Sequence, residues 1–205
     1  MFKEVHKYLM EMTPERPPVL REMEAYASAQ GFPIIGPLVG RLLYQLALVT
    51  EAGKIFEMGS GFGYSAYWFS LACRSRGEII MTDGDKSNKP RALDYFKRAA
   101  LPSRFNFLVG DARRILENTD GPFDIILNDI DKDQYPETID IVAPKLRKGG
   151  LFITDNLIWS GKVCREKPDK TTGAIIEFTR RLYRDRRFFT TIMPVRDGVS
   201  LSVRL

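Results

Sequence analysis

The sequence contains little cysteine and histidine, with two cysteines and one histidine among 205 residues. Cys73 and Cys164 lie far apart and form no CxxC motif, which favours reduced thiols in a cytoplasmic protein over a disulfide framework. His6 lies where chain ends fray, so Ser-His-Asp hydrolysis is disfavoured, as are zinc sites built from Cys and His. The chain also lacks a long apolar run, and we therefore expect neither a signal peptide nor a membrane span.

The rest of the composition is typical of a globular protein. Hydrophobic residues make up 44% and charged residues 28% of the chain, which excludes a mainly disordered protein. The net charge of +5 is compatible with a nucleic-acid partner without requiring one. We expect a single domain overall, in which an N-terminal helical segment at 1–50 precedes the main domain at 51–205.

The N-terminal segment has helical periodicity. Val5, Leu9 and Met12 share one face of a first helix, and a pair of prolines at 17–18 separates it from the next one. Gly31 is expected to end the second helix, and apolar residues then recur at helical spacing. We expect these helices to pack on the core or against another subunit.

From residue 54 onward, short apolar runs alternate with amphipathic helical patterns. Runs that are apolar on both faces and separated by helices predict a parallel sheet covered on both sides, hence a doubly wound α/β domain. Two later β-like runs flank Asp197-Gly198, a pair that predicts an antiparallel hairpin. Strands are predicted at 54–58, 78–82, 105–109, 123–128, 150–154, 188–195 and 199–204, and helices at about 64–75, 88–100, 112–118, 135–147 and 171–185.

A glycine-rich turn, GSGFGYS, follows the first of these strands at 59–65. Gly59 and Gly61 would let the backbone turn tightly and approach a ligand, while the next helix offers free N–H groups. A dinucleotide-binding turn would read GxGxxG/A, but Tyr64 takes the last glycine position, which disfavours a nicotinamide cofactor. A tight turn without a ligand is the alternative.

Acids follow the second and third strands. Asp83 has the place of an acid that accepts hydrogen bonds from both hydroxyls of a ribose, although Asp85 could compete for that role. Asp111 could accept from an adenine amino group or cap the helix that follows, and the sequence does not decide between the two.

Three potential metal ligands follow the fourth and fifth strands. Because neighbouring parallel strands end at one edge of a sheet, Asp129, Asp155 and Asn156 should meet there. Two carboxylates and an amide oxygen suit Mg²⁺, Mn²⁺ or Ca²⁺. Lys132 could lose its proton beside a dication and act as a base. Taken singly, each acid could be a helix cap and the lysine a surface charge.

These motifs together resemble one family. EMGSGFGYS at 57–65, DIDKDQY at 129–135 and DNLIWSGKV at 155–163, with Asp83 and Gly-Asp-Ala at 110–112, are similar to metal-dependent S-adenosylmethionine O-methyltransferases of the catechol and caffeoyl-CoA type. The resemblance runs from about residue 18 to the C-terminus. It implies a Rossmann-like class I methyltransferase fold, with seven strands of which the last is antiparallel, and a homodimer.

The resemblance also implies roles for individual residues. Asp129, Asp155 and Asn156 would hold the cation. Lys132 would be the catalytic base, and Asp129 would be a second catalytic residue as well as a metal ligand. Trp159 would lie near the substrate, although as an aromatic it is equally plausible in the core. The residues that would line the S-adenosylmethionine pocket are Glu57, Gly59, Gly61, Tyr64, Ser65, Asp83, Asp111, Ala112 and Asp129.

The sequence therefore predicts a cytoplasmic O-methyltransferase that acts on a small hydroxylated aromatic, with S-adenosylmethionine and Mg²⁺ as cofactors. One alternative keeps the chemistry but takes a hydroxyuridine in tRNA as the acceptor, with the arginines at 180–187 contacting phosphates. Those arginines could equally form a solvated helix face. An NAD(P)-dependent oxidoreductase and a regulator that binds S-adenosylmethionine without turnover are further alternatives. Both are disfavoured by the metal trio, that is, by the three potential metal ligands Asp129, Asp155 and Asn156.

Overall fold

The computed structural model describes residues 3–73, 77–101 and 103–205. The strands are β1 Lys54–Met58, β2 Glu78–Asp83, β3 Arg104–Val109, β4 Phe123–Asn128, β5 Leu146–Thr154, β6 Phe188–Met193 and β7 Val199–Arg204. The α-helices are α1 Lys3–Glu11, α2 Pro18–Gln30, α3 Gly36–Val49, α4 Tyr64–Ser70, α5 Asn88–Ala99, α6 Ala112–Glu117, α7 Tyr135–Val142 and α8 Lys170–Arg184. Short 3₁₀ turns lie at Lys132–Gln134, Ala143–Lys145 and Trp159–Cys164.

All seven strands belong to one sheet, in the order β3-β2-β1-β4-β5-β7-β6. The pairs among β1 to β5 are parallel, whereas β7 runs antiparallel to both β5 and β6. The predicted seven-stranded sheet with an antiparallel last strand is therefore confirmed. The order reverses between β1 and β4, which is the place where open α/β sheets bind their ligands.

Successive side chains of the central strands point to opposite faces of the sheet, and this produces two cores, one on each face. Ile55 in β1 and Ile125 in β4 pack in the core beneath α2 to α5. Their chain neighbours Phe56 and Ile126 pack in the core beneath α6 to α8. Because both faces are buried, these strands are apolar in almost every position, as predicted.

The predicted helix at 135–147 is wrong at its C-terminal end. It stops at Val142, and β5 begins at Leu146 rather than at residue 150. Pro144 has no N–H to donate, so the helical ladder cannot continue through it. Leu146 pairs instead with Phe123 of β4. In the predicted helix at 64–75, the α-helix ends at Ser70, and residues 74 and 75 lie outside the described residues.

The helices of the predicted N-terminal segment differ in how they are buried. Leu20 and Leu43, from α2 and α3, have no exposed surface and belong to the core beneath α2 to α5. In α1, by contrast, the predicted apolar face is exposed, by 44% at Val5 and 37% at Leu9, and Met12, predicted for the same face, lies just after the helix and is 60% exposed. Residues 1 and 2 of this segment lie outside the described residues. No helix in the described ranges is long and apolar enough to cross a bilayer.

The hairpin between β6 and β7 supports the loop that follows β5. The backbone N–H of Leu157 donates to the carbonyl of Gly198 at 2.9 Å, and that of Ile158 donates to the carbonyl of Asp197 at 2.8 Å. A Cβ on Gly198, whose φ is +87°, would lie 2.4 Å from Ile158 Cγ1. Glycine is therefore required there for the hairpin to meet the loop.

Candidate active site

A cavity of about 1160 Å³ opens at the carboxyl ends of β1, β2, β4 and β5. Of the residues predicted for the site, only Glu57 does not line it. Glu57 lies within β1 and is fully buried. The side chains of Ser60 and Ser65, which do line the cavity, lie between the cavity and the Glu57 carboxylate and interact with it. The predicted residues that the cavity brings together are Gly59, Gly61, Tyr64, Ser65, Asp83, Asp111, Ala112, Asp129, Lys132, Asp155, Asn156 and Trp159.

The glycine-rich turn lies against the segment that follows β4. Gly59 has a φ of +82°, and a Cβ there would lie 2.5 Å from the carbonyl oxygen of Asp129. Only glycine permits this close approach of two backbones. Tyr64 begins α4, and its hydroxyl donates to Glu24 of α2 at 2.8 Å, so the ring is fixed from outside the cavity.

Asp83 is held in a fixed orientation at the end of β2. Its Oδ2 accepts from the N–H of Gly61 at 2.8 Å, and its Oδ1 accepts from the N–H of Asp85 at 2.8 Å and from Asn88 Nδ2 at 3.1 Å. The side chain of Asp85 instead accepts from the N–H of Ser87, which lowers its pKa. Asp83, rather than Asp85, is thus the acid that is fixed to the glycine-rich turn.

Asp111 forms the helix cap that the sequence allowed. Its carboxylate accepts from the N–H groups of Arg113 and Arg114 at the start of α6. The Arg113 guanidinium, 2.9 Å away, lowers the pKa of Asp111. Asp111 also lines the cavity, so a ligand contact is compatible with the cap.

The three predicted metal ligands meet because β4 and β5 are adjacent in register, with Asn128 opposite Thr154. Asp155 is 1% exposed, and its Oδ1 has no hydrogen-bond partner among the residues that the structure describes. Asn156 has a φ of +64°, and its Nδ2 donates to Asp155 Oδ2 at 3.2 Å.

The charges at this place are closely coupled. Burial and, to a smaller extent, the nearby Asp129 carboxylate raise the pKa of Asp155 to about 7, although the Arg196 guanidinium opposes the rise. Burial also raises the pKa of Asp129, which the Lys132 ammonium opposes. Lys132 Nζ donates to Asp129 Oδ1 at 2.8 Å and to the carbonyl of Ile130 at 3.2 Å. A positive charge close to both carboxylates would therefore favour their ionised forms.

The donor set of two carboxylates and an amide oxygen fits a hard divalent cation, and one of its buried carboxylate oxygens, Asp155 Oδ1, has no partner in the described part of the chain. In the described ranges, no three His, Cys, Asp or Glu side chains form a potential metal site. The trio therefore relies on the amide of Asn156 as its third group. Other oxygens, from water or substrate, would have to complete the coordination.

Trp159 lines the cavity and also packs against the core beneath α6 to α8. Its ring lies 5.1 Å from Lys162 Nζ. Both interpretations of this residue, as a substrate neighbour and as a core aromatic, agree with its position.

Sequence reasoning missed several residues of the site. Tyr135 is buried and donates its hydroxyl to the carbonyl of Asp155 at 3.0 Å, which fixes the backbone of a predicted ligand. Phe32 and Ile34 line the cavity from the segment between α2 and α3. Arg196 lies in the hairpin, 3.4 Å from Asp155 Oδ2 through its Nη1. Tyr135 is part of the DIDKDQY string, but the other three lie in segments that gave no signal beyond turns and helix ends.

Comparison with known proteins agrees with this geometry. A family model described as O-methyltransferase matches residues 10–205. The chain belongs to the O-methyltransferase family. A catechol O-methyltransferase of Niastella koreensis is 31% identical over 187 residues, covering 88% of this chain and 83% of that protein. A probable caffeoyl-CoA O-methyltransferase of Arabidopsis thaliana is 26% identical over 221 residues, covering 99% and 94%.

Solved structures of other methyltransferases share the fold. A methyltransferase from Geobacter sulfurreducens is 30% identical, with a TM-score of 0.86, and the match covers 100% of this chain and 97% of that one. An O-methyltransferase from Bacillus cereus in complex with SAH has a TM-score of 0.89 at 24% identity, covering 98% and 97%. The predicted family, the Rossmann-like fold and the enzyme class of this O-methyltransferase are confirmed. The oxidoreductase alternative is wrong.

Proposed function

We propose that this O-methyltransferase transfers the methyl group of S-adenosylmethionine to a hydroxyl of a small catechol-like aromatic, with a divalent cation held by Asp129, Asp155 and Asn156. The observation that carries the proposal is that two carboxylates, Asp129 and Asp155, and the amide of Asn156 line the same cavity as the glycine-rich turn. The named relatives are a catechol and a probable caffeoyl-CoA O-methyltransferase, whose names specify phenolic acceptors.

The cofactor would bind at the turn and at the end of β2. Asp83, fixed by the N–H of Gly61, can accept from ribose hydroxyls with its remaining lone pairs. Asp111 is close to the same end of the cavity and can accept from an adenine amino group. The Bacillus cereus relative binds SAH, the demethylated form of this cofactor. The many acids of the lining also suit a ligand that carries a positive sulfonium.

The cation would bind at the opposite side of the turn. When bound, a divalent cation lowers the pKa of a coordinated phenolic hydroxyl and orients its oxygen toward the methyl donor. Asp129 and Asp155 supply the negative charge, and Asn156 supplies a neutral oxygen.

Lys132 would move the acceptor's proton. Asp129 and the carbonyl of Ile130 fix its Nζ beside the proposed acceptor position. An alkylammonium must first release a proton to solvent, and the resulting amine can then receive the proton of a phenol, because the two groups have similar ordinary pKa values of about 10. Methyl transfer is an in-line displacement, so the remaining task of the site is to align donor and acceptor.

The acceptor would lie between Lys132 and the apolar side chains at the cavity mouth. Trp159 and Ile34 supply that apolar wall. The cavity volume of about 1160 Å³ exceeds what one drug-sized ligand needs, which supports room for cofactor and acceptor together.

The tRNA alternative receives less support from the charges. Arg181 and Arg187 both pair with Asp140, at 3.0 and 2.6 Å, and so are partly neutralised. Arg180 and Arg184 line a second cavity of about 500 Å³, where they could contact an anion. We therefore keep tRNA as the acceptor to test if catechols fail.

The test is methyl transfer from labelled S-adenosylmethionine to catechol, with Mg²⁺ and with excess chelator. We expect chelation to abolish transfer, and Asp155→Asn to lower the rate by roughly 10²-fold or more. Lys132→Met should lower it by about 10²- to 10⁴-fold, as expected for a lost base. Asp94→Asn, an exposed acid-to-amide change on α5, is the matched control.

Binding measured by calorimetry separates the roles. Asp83→Ala should lose affinity for S-adenosylmethionine, whereas Asp155→Asn should keep it. Turnover that is unaffected by chelation would contradict the metal assignment. Cofactor binding without transfer to catechol would contradict the acceptor class, and undermethylated tRNA would then be assayed.

A further inference from the structure

Arg196 lies in an unusual backbone conformation beside the proposed metal site. Its φ is +52°, a left-handed value that is uncommon for a residue other than glycine. The turn around it is fixed, because the N–H of Gly198 donates to the carbonyl of Val195 at 2.9 Å and the N–H of Ile158 donates to that of Asp197 at 2.8 Å. The side chain reaches into the cavity, where its Nη1 is 3.4 Å from Asp155 Oδ2.

Each carboxylate of the trio already faces a side-chain cation. Lys132 is 2.8 Å from Asp129, and Arg196 is 3.4 Å from Asp155. A guanidinium is not deprotonated in proteins. With all four groups ionised, this cluster is neutral, so a divalent cation would bring two further positive charges next to two cations.

The two pairs differ in how firmly they are held. Lys132 is 13% exposed, donates to two oxygens, and has its Nζ 5.2 Å from the ring centre of Tyr135. Arg196 is 34% exposed and has a single long contact with Asp155. Among the two cations, Arg196 is therefore the one that can leave its carboxylate at the smaller cost.

We propose that Arg196 competes with the divalent cation for Asp155 and thereby sets the metal affinity of this enzyme. The cation binds at Asp155 only when the guanidinium has moved away from Oδ2, and the free side chain then turns into the open part of the cavity. This inference rests on the proposed function, because it takes the trio as the cation site.

The test measures metal binding directly, without cofactor, acceptor or turnover. Mn²⁺ affinity, from calorimetry and from water proton relaxation, is compared in the wild type, Arg196→Gln, Arg196→Gly and Arg196→Lys. Loss of a unit charge a few ångströms from a dication should tighten binding by roughly tenfold or more in the Gln and Gly variants. Arg196→Lys, which keeps the charge, should stay near the wild type. Arg180→Gln removes a distant arginine and is the matched control.

A second readout follows the arginine itself. Titration with Mg²⁺ should shift the Nε–H resonance of Arg196 in nuclear magnetic resonance spectra of the wild type, as the ion pair with Asp155 opens. Glycine suits the left-handed backbone at this position, so Arg196→Gly guards against a failure of the Gln variant to fold.

Unchanged metal affinity in both neutral variants would overturn the inference, and so would the absence of metal binding in all four proteins. These failures differ from failure of the proposed function, which is read from the effect of chelator on methyl transfer by the wild type. Suppose that chelator abolishes methyl transfer by the wild type but that Arg196→Gln binds Mn²⁺ with unchanged affinity. The proposed function would then still be supported, and only the proposed role of Arg196 would be refuted.

Discussion

Glu57 makes the stability of the fold depend on pH in a way that can be measured. Its side chain has no exposed surface, because it lies within the central strand β1. Burial raises the pKa of Glu57 from the ordinary 4.5 to about 8, while the Ser60 and Ser65 hydroxyls oppose the rise and Asp129 adds to it. The folded chain therefore keeps this proton at neutral pH, whereas the unfolded chain releases it.

The sign and the magnitude follow from linkage. A raised folded-state pKa contributes stability that is fully present below the unfolded value, about pH 4.5, and is lost as pH rises through about 8. Because each pKa unit is worth about 1.4 kcal/mol, the shift of about 3.5 units, from 4.5 to 8, corresponds to roughly 4–5 kcal/mol in all. Most of it, on the order of 3 kcal/mol, is lost between about pH 5 and pH 8.

Glu57→Gln keeps the shape of the side chain but cannot ionise. The free energy of unfolding of the wild type should therefore fall, relative to that of Glu57→Gln, as the pH rises. Urea titrations at several pH values between about 5 and 8 measure this difference. The new amide can itself change the free energy of unfolding by a constant amount, but this does not affect the slope of the difference against pH.

An exposed glutamate on α8 provides the control. Glu177→Gln makes the same acid-to-amide change on the surface and should show no comparable slope. If the difference between wild type and Glu57→Gln is the same at both ends of the pH range, then Glu57 is ionised in the fold. The argument from burial would then be wrong.

The remaining predictions concern packing and assembly. Gly40→Ala should destabilise the fold by about 1–3 kcal/mol, because the added Cβ would lie 2.2 Å from Trp68 Nε1 where α3 meets α4. Gly173→Ala in α8 should instead stabilise by roughly 0.5–1 kcal/mol, because outside its own helix no described residue comes within 4 Å of the added Cβ. Equal effects of the two substitutions in chemical denaturation would contradict the packing argument. The predicted homodimer would use the exposed apolar face of α1, so Leu9→Glu should yield monomers in light scattering. A monomeric wild type would refute this arrangement.

Much of the sheet could be predicted because its signal is local. Strands buried on both faces must be apolar at successive positions, and this pattern identified β1 and β4 with the bounds that the structure has. The Asp-Gly pair identified the hairpin because few residue pairs fit such a turn. The start of β5 could not be predicted, because Leu146 belongs to the strand only through its pairing with Phe123.

The candidate site was predictable to the extent that it follows strand ends. Asp83, Asp129 and Asp155 each come directly after or at the end of a strand, and parallel strands bring such positions to one edge. Phe32 and Arg196 reach the same cavity from segments that are far away in sequence. Their places depend on how α2, α3 and the hairpin pack, which no local pattern encodes.

The acids of the site also explain why this edge of the sheet is costly to fold. Burial raises the pKa of three carboxyl groups that lie in or after the central strands β1, β4 and β5: Glu57, Asp129 and Asp155. Apolar residues at these positions would extend the two cores without that penalty. Lys132 and Arg196 offset part of it at the two aspartates. At Glu57 the hydroxyls of Ser60 and Ser65 offset part of the cost, and none of the described residues supplies a cation that lowers its pKa, so a positively charged ligand bound nearby would offset more of it. The proposed cofactor and cation both bring positive charge to this edge. The same carboxyl groups that lower the stability of the free protein would then strengthen the binding of its ligands.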